Sequence, residues 1–412
     1  MKIRHLQAIE FRNFSNLQLE LRPGINFFLG ENGQGKTNLL EAVYLLCRGS
    51  SFRAADSKSL LRHPQLSERT VPRAKISGEF EKKTLDFSVQ LSLEAGKKNA
   101  VVNGKKANSA ALMAHFPVVL FSPESLSAIK EGPDQRRQLI DEILLSHDPR
   151  QGRLLREFAK ALKSRNRLLK YVNQAQYEKF NRSASSRVEH ERSLESLNKI
   201  YLILSTHLSV ARIKALRDIQ GGVSDAMQFI SHDSSETNSI VGVSGAPVEI
   251  SVDYVISGQS ALDWDESQVY DALLKRQSEL ALQEVAAGSS LVGPHKHDIK
   301  LLFNGNDSRF YCSQGQQRAL ILALKMAQIV YHHRVHQTYP VLLLDDVLSE
   351  LDLKKRVNLM KFLEGISAQI LITATDLTWS KQISFDSNSI FSVRNGHVGG
   401  FDVNSGSYPE FF

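Results

Sequence analysis

Cysteine is nearly missing from this chain: Cys47 and Cys312 are the only two in 412 residues. Two thiols cannot make a disulfide framework or a cysteine-rich metal site, and they suit a reducing compartment, so a cytoplasmic location is expected. Long apolar runs are missing too. None approaches the roughly 20 residues that a membrane helix needs. The first twenty residues interleave Lys2, Arg4, Glu10, Arg12 and Glu20 with apolar positions, so no secretory stretch and no membrane partner are expected. There is no internal repeat and no low-complexity tract. His295, His297, His332, His333 and His336 lack the cysteine or aspartate company of a zinc site. What remains is an ordinary globular composition, 42% hydrophobic and 23% charged, enough for two or three domains with cores of their own. A formal net charge of +7 is compatible with a polyanionic partner without demanding one.

Ile3 to Leu21 alternates apolar and polar residues, a strand pattern. Pro23-Gly24 reads as a turn, Ile25 to Leu29 as a short buried strand, and Asn38 to Leu46 as a helix beyond a glycine loop. Strand patterns return over Ala74–Phe80 and Leu85–Leu91, and Asn103-Gly104 is a hairpin signal. From about 134 to 215 the period turns helical and the charge basic. Residues 216–262 are rich in Gly, Ser and Asp, with a possible strand from Pro247 to Val255; helix is expected again over Ser267–Ala287. Farther on, strand and helix alternate, with Val341–Leu344 and Gln369–Ile372 as buried strands. The expectation is an α/β chain with a split ATPase core, an N-terminal lobe over 1–125 and a C-terminal lobe over 288–412. A mainly helical inserted arm domain over 126–287 would separate them.

Gly30-Glu31-Asn32-Gly33-Gln34-Gly35-Lys36-Thr37 fits G-x-x-x-x-G-K-[ST]. Its glycines let the backbone wrap a phosphate with N–H groups, and the following helix points its positive end at the anion. Lys36 is expected to reach the β and γ phosphates of ATP, and the Thr37 hydroxyl to ligate Mg²⁺. By chance the pattern arises in roughly one chain of this length in a hundred. A metal-side carboxylate is needed at a neighbouring strand end, and Val341-Leu342-Leu343-Leu344-Asp345-Asp346 supplies one. An apolar run ending in two acids is costly unless a cation or a donor meets them. Asp345 is the candidate metal ligand and Asp346 the candidate base for the attacking water. The plainer reading of each is a strand-end aspartate that caps a turn.

Cys312-Ser313-Gln314-Gly315-Gln316-Gln317-Arg318 precedes a helix running to about Val330, and its Ser-x-Gly-Gln resembles the signature loop of ABC-type ATPases. Ser349-Glu350-Leu351-Asp352, after the two aspartates, looks like their D-loop. Together these resemble the SMC-like branch of that class. Phe11-Arg12-Asn13-Phe14, Pro123-Glu124-Ser125-Leu126, Gly132-Pro133-Asp134-Gln135-Arg136-Arg137 with Asp141, and Gly293-Pro294-His295 narrow the resemblance to the RecF family, along nearly the whole chain. Ser125 stands where that family usually has Asp, Leu139 where an aromatic is usual, and Lys296-His297 where Arg-Asp is usual.

The resemblance implies an ABC/SMC-like fold and an ATP-dependent homodimer, with Ser313, Gly315 and Gln316 of one copy closing on the nucleotide of the other. It implies binding to single-stranded DNA or gapped duplex, work with RecO- and RecR-type mediators to load the recombinase RecA, and roles in replication, recombination and the SOS response to DNA damage. Asp346 falls where many ABC ATPases carry a glutamate, and Thr375 where transporters carry a switch histidine. Both departures suit a weak, DNA-stimulated ATPase whose slow hydrolysis resets a switch. The alternatives are a transporter ATPase subunit, a structural SMC-type protein and a small-molecule kinase. The split core and basic insertion speak against the first, and the shortness of the helical stretch against the second.

One segment bears on DNA without the resemblance. Arg153, Arg156, Lys160, Lys163, Arg167 and Lys170 recur at +3 and +4 steps, with Leu154, Leu155, Phe158, Ala161, Leu162, Leu168 and Leu169 on the opposite arc. Such a stripe suits phosphate contacts, and it equally suits a solvated helix face paired with acids elsewhere. Arg165 falls inside the apolar arc and needs a partner. Arg136 and Arg137 could touch nucleotide, DNA or a second copy, or pair with Asp141 or Glu142. His295 could sense nucleotide or be a satisfied structural histidine.

Overall fold

The computed structural model describes residues 1–53, 56–62, 73–94, 97–177, 184–231, 249–376 and 389–400. In chain order the first part runs β1 Lys2–Phe11, β2 Phe14–Glu20, β3 Ile25–Leu29, α1 Lys36–Arg48, β4 Arg73–Lys82, β5 Leu85–Glu94, β6 Lys97–Val102, β7 Lys105–Ala107, α2 Ser109–His115, β8 Val118–Phe121 and α3 Pro123–Leu126. The middle contains α4 Pro133–His147, α5 Gln151–Tyr177, α6 Ala184–Ser231, β9 Ile250–Ile256, β10 Gln259–Ser260, α7 Glu266–Glu279, α8 Ala281–Ala287, β11 Asp298–Phe303, β12 Asn306–Asp307 and α9 Ser308–Tyr311. The last part is α10 Gln314–His336, β13 Val341–Asp345, α11 Leu353–Glu364, β14 Ile370–Ala374, β15 Ile390–Arg394 and β16 His397–Gly400.

The chain divides into two compact units. One comprises the described residues of Met1–Ser127, Asp225–Pro247 and Gln314–Phe412; the other comprises those of Ala128–Ser224 and Val248–Ser313. The first unit carries a sheet of order β16-β15-β3-β14-β13-β8, parallel except where β16 returns on β15. Its strands are apolar along their length, Val341–Asp345 and Ile370–Ala374 being buried at every residue, as parallel strands covered on both faces are. The split core is thus realised, for β14 pairs Ile370 with Ile25 of β3 across most of the sequence.

A second, antiparallel sheet of order β2-β1-β4-β5-β6-β7 follows the alternation in Ile3–Leu21. Its inward residues, such as Leu6, Ile76 and Leu91, share one core with α1 and with Val118, Leu343 and Leu371 of the parallel sheet. The helix α1 is buried at Leu39, Leu40, Val43, Leu45 and Leu46, apolar nearly all round as a helix in such a place must be.

The second unit holds α4, α5 and most of α6, with a small antiparallel sheet of order β10-β9-β11-β12. Three expectations shift. The arm does not end at 287: residues up to Ser313 belong to this unit, because β11 pairs along β9 from Asp298↔Val255 to Phe303↔Ile250. The stretch after 215 stays helical through Gly221-Gly222 to Ser231. Two helix glycines cost roughly 2 kcal/mol against alanine, which the burial of Ile219, Val223, Met227 and Ile230 on one face offsets. The helix over Ser267–Ala287 is two helices, capped at Asp265 and interrupted at Leu280. The strand expected from Pro247 is β9; Pro247 and Val248 themselves lie outside the described residues. Among the described residues no helix is long and apolar enough to cross a membrane.

Candidate nucleotide site

β3 delivers Leu29 into the core and releases the chain at Gly30, whose N–H donates to Ala374 O at 3.3 Å. A Cβ at Gly30 would lie 2.3 Å from Val393 O, so only glycine lets the loop pass this strand. Gly35 has φ +111, and a Cβ there would meet the Asn13 amide at 2.4 Å. The loop is held from outside by groups that the motif does not include. Asn13 Nδ2 donates to Gln34 O at 3.0 Å and Asn13 Oδ1 accepts from Asn38 Nδ2 at 2.8 Å. At the β15–β16 turn, Gly396 N donates to Gln34 O at 3.1 Å and Asn395 N to Gln34 Oε1 at 2.7 Å. Lys36 opens α1 with its ammonium against the carbonyls of Gly30 and Glu31, the second at 2.9 Å. Burial lowers the Lys36 pKa, and the nearby charges of Asp346 and Asp345 pull it back up.

Asp345 and Asp346 come to this corner because only β14 lies between β13 and β3 in the sheet. Thr37 Oγ1 donates to Asp345 Oδ1 at 2.9 Å, joining groups 308 residues apart. Thr373 Oγ1 lies 2.9 Å from the same oxygen and accepts the Asp346 N–H at 2.9 Å. Asp345 is buried, which raises its pKa, while the two threonine hydroxyls work in the opposite direction. Asp346 follows in the left-handed region at φ 50, ψ 25, at the start of a short 3-10 turn to which its side chain gives no capping bond.

The donor set suits a hard divalent cation. Thr37 and Asp345 offer only oxygen, and an added positive charge would relieve the buried carboxylate. Among the described residues no group of three or more His, Cys, Asp or Glu could hold a metal, as expected where Mg²⁺ takes one or two protein ligands and completes its shell with water and phosphate.

The signature residues straddle a helix start. Ser313 is exposed just before α10, and Gly315 and Gln316 lie in its first turn, where the helix end favours an anion. Arg318 ties this turn to the D-loop, pairing with Glu350 at 2.5 Å and donating to its carbonyl at 3.0 Å. Ser349 Oγ in turn donates to Asp346 O at 2.7 Å, and Asp352 caps α11.

On α5, Arg153, Arg156, Lys160, Lys163, Arg167 and Lys170 are all exposed, with Phe158, Ala161 and Leu169 buried opposite. Arg153 pairs with Glu157 at 2.7 Å. Lys163, Arg167 and Lys170, with Asn166 and Tyr171, line a cavity of about 560 Å³. Arg165 finds its partner in Glu284, at 2.5 Å. Arg136 does not pair with Asp141 or Glu142; it grips Asp298 at 2.7 Å, and Asp141 is taken by Arg212. Arg137 bonds His297 O and Asp134. The ring of His295 bonds Ser290 O and lies 3.4 Å from Tyr201 Oη, a structural setting. Burial lowers its pKa, and the bond to Ser290 O acts the other way. Sequence reading gave no role to Asn13, Thr373 or the Asn395-Gly396 turn. Only a polar residue near the end of an otherwise apolar strand run, Ile370-Leu371-Ile372-Thr373, hinted at the second of these.

Such a loop and strand end, with a signature helix, define the head of a P-loop ATPase of the SMC type. The profile of the RecF/RecN/SMC N terminal domain matches residues 2–398. A DNA replication and repair protein RecF of Heliobacterium modesticaldum is 32% identical over 97% of this chain and 99% of its own length. One from Geobacter sp. strain M21 is 33% identical over 97% of this chain and its full length. A solved structure of the recombination mediator protein RecF with ATP, in the RecFOR pathway, superposes with a TM-score of 0.79 at 29% identity over 97% of both chains. The Smc head domain of Pyrococcus furiosus shares the fold, with a TM-score of 0.51 at 15% identity over 98% of this chain and 97% of its own. The chain belongs to the RecF family.

Proposed function

We propose that this chain is an ATP-switched DNA-binding protein of recombinational repair and replication-fork maintenance. The observation that carries the reading is the 2.9 Å bond between Thr37 of the phosphate loop and Asp345 of the distant strand end, which is the donor pair a nucleotide-bound Mg²⁺ requires. Gly30–Thr37 bind the triphosphate of ATP through backbone N–H groups, with Lys36 neutralising the β and γ oxygens. Thr37 and Asp345 would hold Mg²⁺, whose chemistry there is to neutralise charge on the γ-phosphate. Asp346 orients the attacking water. Ser313, Gly315 and Gln316 of a second copy close over the nucleotide, so that ATP joins two copies and hydrolysis parts them.

In the dimer the α5 stripe, Arg153 to Lys170, faces DNA phosphates at single-strand gaps. RecO- and RecR-type mediators are the partners, and RecA loading is the outcome. A short carboxylate at Asp346 and Thr375 in place of a histidine suit slow turnover. No observation favours a transporter subunit.

The test is the molar mass in solution with and without Mg·ATP, for wild type and Lys36→Ala. Wild type is expected to double its mass only with Mg·ATP, and Lys36→Ala to stay monomeric. A wild-type chain that binds ATP and remains a monomer would remove the purpose of the signature turn.

A further inference from the structure

Thr373 is a hydroxyl in a strand otherwise made of Ile370, Leu371, Ile372 and Ala374, all buried. Valine would fill the same volume without a polar group to satisfy, so the hydroxyl must be used. Three groups lie within reach: Asp345 Oδ1 at 2.9 Å, Leu344 O at 3.3 Å and the Asp346 N–H at 2.9 Å. A hydroxyl has one proton and two lone pairs. Its proton goes to the nearer and charged acceptor, Asp345 Oδ1, and a lone pair takes the Asp346 N–H.

We propose that Thr373 is a positioning residue for the nucleotide reaction, one hydroxyl fixing both the side chain of Asp345 and the backbone turn that aims Asp346. This rests on the site proposed above. Asp346 sits at φ 50, ψ 25, a conformation that side chains other than glycine disfavour, and the bond to Thr373 is what its N–H receives for adopting it. Asp345 Oδ1 accepts from two hydroxyls, Thr37 and Thr373. If Thr37 turns its oxygen to a cation, Thr373 is the donor that stays on the carboxylate and keeps its orientation.

The experiment compares full-length wild type, Thr373→Val, Thr373→Ala and Thr373→Ser. Turnover and KM for Mg·ATP are measured, together with the affinity for ATP by calorimetry with and without Mg²⁺. In Thr373→Val kcat is expected to fall about 10- to 100-fold, the range for losing an outer-shell partner of a metal ligand, with KM little changed. The gain in ATP affinity that Mg²⁺ brings shrinks while affinity without Mg²⁺ holds, and Thr373→Ser restores both. Wild-type kcat and Mg²⁺ dependence in Thr373→Val overturn the proposal, as does equal loss in Val and Ser, which would make the shape and not the hydroxyl responsible. Should Thr373→Val fail to fold, the same comparison between Ala and Ser decides. If wild type binds no ATP, the proposed function falls; if it binds but hydrolyses none, the Mg²⁺ dependence of binding judges Thr373.

Discussion

Breaking the ion pair between Arg165 and Glu284 should be among the most damaging single changes in the second unit. The two side chains are only 2% and 1% exposed. The guanidinium donates to both carboxylate oxygens, at 3.0 and 2.5 Å, and also to Asn198 at 2.7 Å and Ser290 at 2.7 Å. Its central carbon lies 4.9 Å from the centre of the Tyr201 ring. Glu284 Oε1 also accepts the N–H groups of Leu291 and Val292, at 2.7 and 3.3 Å, so the pair anchors the segment leading into Gly293-Pro294-His295.

Removing one partner of such a pair strands a buried charge, at a cost of about 3–5 kcal/mol. Arg165→Leu leaves Glu284 two backbone donors and belongs at the lower end; Glu284→Gln turns an amide N–H₂ toward the guanidinium and belongs at the upper. The double variant removes both charges while the new amide oxygen can still accept from Leu291. It should lie within about 2 kcal/mol of wild type, a coupling of at least about 4 kcal/mol between the sites. Urea unfolding followed by Trp264 fluorescence in a Trp379→Phe background reads this unit, since Trp264 belongs to it. Single variants that each cost under about 1 kcal/mol, or a double variant that simply adds the two, would refute the reasoning.

Two further outcomes follow from the surface helix and the phosphate loop. Reversing Lys160, Lys163 and Arg167 to Glu should weaken DNA binding and lower the magnitude of its log–log salt slope by about 3, near one per lost phosphate contact; an unchanged affinity and slope would take α5 off the DNA surface. Gly30→Ala forces a Cβ to within 2.3 Å of Val393 O, so β15 must give way. An overpacking cost of about 1–3 kcal/mol in unfolding free energy and a loss of ATP affinity are expected, and a variant with wild-type melting and affinity would contradict the close approach.

The parts of the site that were legible in the sequence are those whose reason is local. Gly30, Gly33 and Gly35 sit where the backbone must bend at a phosphate, and the constraint is written in adjacent residues. Buried parallel strands show themselves as short, mainly apolar runs, so Ile25–Leu29 and Val341–Leu344 could be placed without knowing their neighbours. Which strand stands beside which is another matter. β3 lies between β14 and β15 through connections too long for any pattern to reveal. The run through Gly221-Gly222 looked broken for the same reason: its helix is held by burial of Ile219 and Val223, and intrinsic propensity is a weak prior beside that.

What escaped was always the second member of a pair. The period of α5 put Arg165 on the apolar arc, and so declared that a buried base needed an acid, yet Glu284 lies 119 residues on, in a helix with no visible link to it. Arg136 suggested an ion pair within its own helix and found Asp298 instead, 162 residues away. Thr373 says nothing by itself, because a threonine in a strand is ordinary; it becomes informative only when Asp345, the last residue of β13, and Asp346 just after it arrive at its hydroxyl. A buried polar residue in a sequence therefore states a debt of one hydrogen bond or one charge, and the fold alone names the creditor. Where that creditor is a reacting group, as Asp345 and Asp346 are proposed to be, satisfying the debt and arranging the chemistry are the same act.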